Sequence, residues 1–297
     1  MRRWFALTLL ALVLSSCGSS SSRHSSSATN PRTGSLDALW HEGAEAVALI
    51  SGTSDYSVGH VRTSFLVVRR NARAVETARA RVYVARALSA RPFASGWARL
   101  ERVGADGIFV AHVTIARPGR YWLVAAPVGS RVRGLGTLDV HARSQSPALG
   151  AKAFPSRTPT IASTGGNFAE LTTRVPPDRG LLRYSIAGLL AARKPFVVTF
   201  ATPKFCQSRT CGPVVNVVDA ARRRYARTDV RFVHVEVYRR NDPTLGWNRF
   251  MHEWRLPTEP WTFLVGSDGR IKAKFEGPVS VGELAAAVRS RLLTPSP

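Results

Sequence analysis

The strongest constraint on this chain is a change of hydrophobic period partway along it. Between about Trp40 and His141 the apolar residues come in short runs, Val61 to Val68, Ala80 to Val84, Gly107 to Ile115 and Gly119 to Ala126. These runs are rich in β-formers and broken by Gly, Pro, Asn and Arg, and Phe109, Ala111, Val113 and Ile115 share one face of an extended segment. No helical stretch separates them, so residues 40–142 are expected to form an all-β, antiparallel sandwich. From about Gly180 the texture alternates instead. Leu182, Ile186, Leu189 and Leu190 make a helical stripe, and Phe196 to Ala201 is an unbroken apolar run suited to a strand buried on both faces. Pro213 opens a helix with Val214, Val218, Ala221 and Tyr225 on one face, and Val230 to Tyr238 reads as a strand. Thr244 to Arg255 reads as a helix. Trp261 to Val265 and Arg270 to Phe275 form a hairpin about Ser267-Asp268-Gly269, and Ser280 with Glu283 makes a capping box for a last helix. The order is α-β-α-β-α-β-β-α. A Pro/Gly-rich segment over 143–179 reads as a linker, able to pack along the following domain as an extended strand. With 297 residues the chain has room for two ordinary cores.

The 42 Lys+Arg against 19 Asp+Glu give a net charge of +23, which in a clustered arrangement would point to nucleic acid. Here the charge is nearly all arginine and is spread along the chain, so no nucleic-acid partner is expected.

Arg2 and Arg3 precede an apolar stretch, Trp4 to Leu14, too short to span a bilayer, and Leu14-Ser15-Ser16-Cys17 follows at once. The arrangement resembles the lipobox of bacterial lipoproteins. That resemblance implies a signal peptide over 1–16, lipidation of Cys17, a Ser-rich tether to residue 39, and a location on the extracytoplasmic face of the cell membrane. No later run reaches 18 apolar residues, so acyl chains would be the anchor. The β segment is similar in pattern to the immunoglobulin-like modules of bacterial surface proteins.

Residues 180–297 resemble the thioredoxin fold. The resemblance rests on the element order, Phe200 to Cys206, Cys211-Gly212-Pro213, Glu259-Pro260 before the Trp261 strand, and the Ser267-Asp268-Gly269 turn. It implies that the Pro260 peptide bond is cis and faces the cysteines. The match departs from the family in three ways. Four residues separate Cys206 from Cys211 instead of two, Val214 stands where a Cys-Gly-Pro-Cys would end, and Thr199 occupies the place of a buried acid.

With Cys17 committed to lipid, Cys206 and Cys211 are the available pair, and an exported protein can keep them oxidised. A six-residue ring restrains the unfolded chain by only about 2 kcal/mol, a weak staple. Cys211 sits at a helix start, and Lys204 and Arg209 add positive potential, so a redox pair is favoured, with Pro213 and Pro260 in support. Cys206 is expected to be the nucleophile and Cys211 the resolving thiol. The function expected is thiol-disulfide exchange with exported protein thiols or disulfides, served by a membrane electron donor or acceptor and needing no cofactor. Two alternatives stand beside it. One is a Sco-like copper chaperone with Cys206, Cys211, His234 and His252 as candidate ligands, and the other is a redox-inert thioredoxin-fold interaction module.

Overall fold

A computed structural model describes residues 34–43, 45–206 and 210–293. All of them belong to one compact unit, Pro31–Pro297; the other unit, Met1–Asn30, lies outside the described residues. The signal segment, Cys17, most of the tether and Arg209 therefore also lie outside them.

The β part comprises α1 (Leu36–His41) and strands β1 (Glu45–Ser51), β2 (Tyr56–Ser57), β3 (Gly59–Val67), β4 (Arg79–Ala85), β5 (Ala94–Val103), β6 (Asp106–Ile115), β7 (Gly119–Pro127) and β8 (Val132–His141). The strands do not part into the two facing sheets of a sandwich. They form one sheet in the order β1-β3-β6-β5-β4-β7-β8, which closes when β1 pairs in parallel with the first half of β8, and β2 pairs in parallel with its last residues, Val140 and His141. The physical reason lies partly in two glycines. A Cβ at Gly136 would meet a Leu49 methyl at 2.9 Å, and one at Gly134 would meet Val67 at 3.1 Å. Bare backbone there lets the first and last strands close around a packed interior. Phe109, Ala111, Val113 and Ile115 all point into that interior, with Phe65, Val82, Leu123 and Val140.

The αβ part follows the expected order: α2 (Ile186–Ala191), β9 (Phe196–Phe200), α3 (Cys211–Arg224), β10 (Arg231–Val235), α4 (Arg249–Glu253), β11 (Trp261–Val265), β12 (Ile271–Glu276) and α5 (Val281–Val288). Its sheet order is β10-β9-β11-β12, with β9 and β10 parallel and the other neighbours antiparallel, which is the thioredoxin-like arrangement. Every residue of β9 is buried, as its unbroken apolar run requires. The capping box at Ser280 and Glu283 is formed. The helix expected over Thr244 to Arg255 shrinks to α4, because a 3-10 turn and Gly246 at φ 72° interrupt it and Asn248 caps a fresh start.

The two parts share a core. Ile108 and Val110, on the outer face of β6, join Val103 in packing with Val214, Val218, Leu284 and Val288 of α3 and α5. Around this apolar contact runs a polar rim. Arg62 of β3 makes two parallel hydrogen bonds to Glu283, both 2.9 Å, and a third to the Pro278 carbonyl at 2.8 Å. Glu276 accepts from Ser54 and Asp55 amides at 2.8 and 2.7 Å. At one point the backbones nearly touch: Gly277 has φ 70°, and a Cβ there would lie 1.9 Å from the Gly52 carbonyl oxygen.

The segment 143–179 is a packed strap. Gly150 and Ala153 amides donate to Ile271 and Gly269 carbonyls at 2.8 and 2.9 Å, and Ser156, Thr158, Leu171 and Thr172 are buried along the αβ part.

Removing one partner of a buried, bidentate ion pair leaves a stranded charge and costs about 3 kcal/mol or more. The Arg62 and Glu283 side chains are only 13% and 16% exposed, and the Arg62 Nη1 already has no partner among the described residues. Glu283→Ala should therefore lower the unfolding free energy by about 3 kcal/mol, seen as a lower urea midpoint at unchanged slope, with barrel and αβ part unfolding in one transition. A loss under about 1 kcal/mol would mark the pair as an ordinary solvated one.

Candidate redox site

Strand register brings the site together. Phe200 at the C-terminal end of β9 pairs with Val235 of parallel β10 and with Trp261 of antiparallel β11. Residues just after β9 and β10 and just before β11 must therefore meet at one edge of the sheet, where open α/β sheets place their sites. The segment leaving β9 carries Cys206 and turns into α3 at Cys211; Glu236 and Tyr238 follow β10, and Glu259 precedes β11. The Glu259–Pro260 peptide bond is cis, as the resemblance implies.

The two cysteines are free thiols in unequal settings. Cys206 is half-buried and Cys211 has no exposure at all. The Cys211 backbone N–H, in the first turn of α3, donates to the Cys206 sulfur at 3.2 Å. The helix start thus offers a donor to Cys206, not to the cysteine that begins the helix. The Cys211 thiol in turn donates to Glu259 Oε2 at 3.5 Å. Burial, above all, pushes the Cys211 thiol up, and the Cys206 sulfur and the Glu259 carboxylate add to the rise. Glu259 is raised to about 8, first by burial and next by the Cys206 sulfur, with the Cys211 hydrogen bond working against the rise. Tyr238, stacked on Trp247 at 4.9 Å, is also raised, by burial and then by Glu259 and the two sulfurs.

Glu236 lies behind this group and is 5% exposed. Its Oε1 accepts from the Thr173 amide at 2.6 Å and the Thr173 hydroxyl at 2.8 Å, which ties the strap to the site. Thr199, in the place of the family's buried acid, donates its hydroxyl to the Trp261 carbonyl at 3.2 Å and carries no charge. Pro213 is the third residue of α3 and sits under Gly104 of the barrel, so it anchors the helix and does not enter the thiol group.

Cys206, Cys211 and Glu259 hold their ligating atoms within 4.8 Å of one another. Neither candidate copper histidine joins them. The ring of His234 is buried against the Ala201 carbonyl at 2.9 Å and the Thr172 hydroxyl at 3.4 Å, and His252 is exposed on α4. The acidic members Glu259 and Glu236, and Thr173 of the strap, are what sequence reasoning overlooked. A signal existed for Glu259, since it adjoins the proline expected to face the cysteines in a chain with few acids. Nothing local marks Glu236 or Thr173, which only β10 register and the path of the strap bring to the site.

No protein-family model matches the chain, and no curated protein matches it. Among solved structures, a thiol:disulfide interchange protein of the thioredoxin family from Chlorobium tepidum TLS matches over 49% of this chain and 95% of that one, at 13% identity and a TM-score of 0.31.

Proposed function

We propose that the protein is a membrane-anchored, extracytoplasmic thiol-disulfide oxidoreductase acting on exported proteins through Cys206 and Cys211. The observation that carries this reading is the asymmetric pair: a half-exposed sulfur served by a helix-start amide, backed by a buried thiol that has its own carboxylate. In the reducing direction the Cys206 thiolate attacks one sulfur of a substrate disulfide, forming a mixed disulfide and expelling the other sulfur as a thiolate, which takes up a proton. The Cys211 thiol then gives its proton to Glu259 and attacks the Cys206 sulfur. The Cys206–Cys211 disulfide forms, and the second substrate sulfur leaves as a thiolate and is protonated. The dithiol loses two electrons and the substrate disulfide gains them. Run backwards, the same steps oxidise a substrate dithiol, and a membrane electron donor or acceptor would reset the pair.

The chemistry is tested by mixing reduced protein with a model peptide disulfide. Two protein thiols should be lost for each substrate disulfide reduced, together with formation of the 206–211 bridge. Loss of no thiols would remove the reading and leave the interaction module.

Anchoring is tested separately. Cys17→Ala should move the protein from salt-washed membranes to the soluble fraction, because lipid chains hold a protein where basic residues alone give salt-sensitive binding. Retention of the variant on washed membranes would refute a lipid anchor at Cys17.

A further inference from the structure

We propose that the groove beside the two cysteines selects polypeptide substrates with an acidic residue and an apolar side chain flanking the reactive sulfur; this rests on the redox reading above. The groove, about 630 Å3, is formed where the strap meets the start of α3, and is lined by Arg174, Val175, Pro203, Lys204, Gly212 and Asn216. Lys204 lies two residues before Cys206 and Gly212 directly follows Cys211, so the groove adjoins the two segments that carry the sulfurs.

Its cations are held in place and left unneutralised. The Arg174 guanidinium donates to Asn216 Oδ1 at 3.0 and 3.3 Å and to the Pro176 carbonyl at 3.0 Å, all neutral acceptors. The Lys204 ammonium stands 5.1 Å from the centre of the Phe205 ring. Neither forms an ion pair among the described residues. In the same lining Val175 is 91% exposed, more than any other large apolar residue described.

That exposure is not fraying. Thr173 is fixed to Glu236 on one side of Val175, the Arg174 amide donates to the Thr172 hydroxyl at 3.1 Å, and the Lys204 amide donates to the Thr173 hydroxyl at 3.2 Å. A valine displayed to water on a pinned segment, beside two cations that have no carboxylate partner among the described residues, is complementary to a segment carrying a carboxylate beside an aliphatic side chain. Pre-positioned charge of this kind raises the encounter rate of oppositely charged partners and fades with salt.

The test uses the reduced full chain and synthetic peptides, each joined through one cysteine to a chromogenic thiol, with Asp-Leu, Asn-Leu or Lys-Leu beside the cysteine. Release of the chromophore in stopped flow is expected about tenfold faster for the Asp peptide than for the Asn peptide, and slower again for the Lys peptide. The ratio should fall towards one in 0.5 M salt, as the Debye length shrinks to roughly 4 Å. It should also fall towards one in R174Q/K204Q; because it is taken within one variant, loss of folded protein cancels. Val175→Ser should slow Leu peptides relative to Ser peptides. Equal rates for Asp and Lys peptides, or a preference unchanged in R174Q/K204Q, would overturn the groove and spare the redox reading. Absence of exchange with every peptide would overturn both.

Discussion

Cys211→Ser protein will accumulate a stable mixed disulfide with its substrate, while Cys206→Ser protein will form none. Both lose turnover to background. The asymmetry follows from exposure: only Cys206 reaches solvent, so only it can meet a substrate sulfur, and the fully buried Cys211 can act only on Cys206. Without the resolving thiol nothing inside the site releases the captured substrate. The Ser at 211 nearly matches the thiol in size and keeps a hydroxyl to donate to Glu259, so the variant should fold. Mass spectrometry of acid-quenched mixtures reads the adduct. In reduced wild-type protein at pH 7, iodoacetamide should label Cys206 at least about tenfold faster than Cys211, because alkylation follows thiolate character and access together. If both thiols label equally slowly and neither variant traps a partner, the αβ part is an inert scaffold.

Glu259→Gln should slow the second half of the exchange by about 100-fold near pH 8 while leaving capture by Cys206 near the wild-type rate, since a positioned proton acceptor contributes roughly that much. Glutamine keeps the shape but cannot take the Cys211 proton. With the carboxyl raised to about 8, the wild-type resolving rate should climb with pH through that value and level off once Glu259 is ionised. In the variant that limb disappears and the rate rises only where the thiol itself ionises. Stability should respond to the same group. A carboxyl that holds its proton to about 8 in the folded protein, against an ordinary 4.5 in the unfolded chain, contributes stability fully present below pH 4.5 and lost as pH rises through 8. The melting temperature of reduced wild-type protein should thus decline between pH 5 and 9, and that of Glu259→Gln should decline less. Matching resolving rates and pH profiles in the two proteins would exclude Glu259 from the proton path.

Much of the αβ part was legible because its signals are local. A strand buried on both faces must be apolar throughout, and Phe196 to Phe200 is; a helix that must start sharply needs a cap, and Ser280 with Glu283 supplies it. The cysteine pair at the β9 to α3 junction was legible for the same reason, whereas the cis peptide before β11 was expected only from the resemblance to the thioredoxin fold. In the β part, alternation identified which face of β6 points inward, but a period of two is common to sandwiches and barrels. Closure depends on β1 meeting β8, some 85 residues apart in the chain, and on Gly134 and Gly136 leaving space where they meet. The roles of Glu259, Glu236 and the strap were likewise decided by long-range packing. Their side chains converge because three strands end at one edge and the strap crosses it. Hydrophobic period, caps and turns act over a few residues, so the order of the elements and the position of the two thiols could be read from the chain alone. Which thiol is exposed, which carboxylate stands behind it and which cations border it depend on packing, since burial and charge proximity are properties of neighbours that chain distance does not specify.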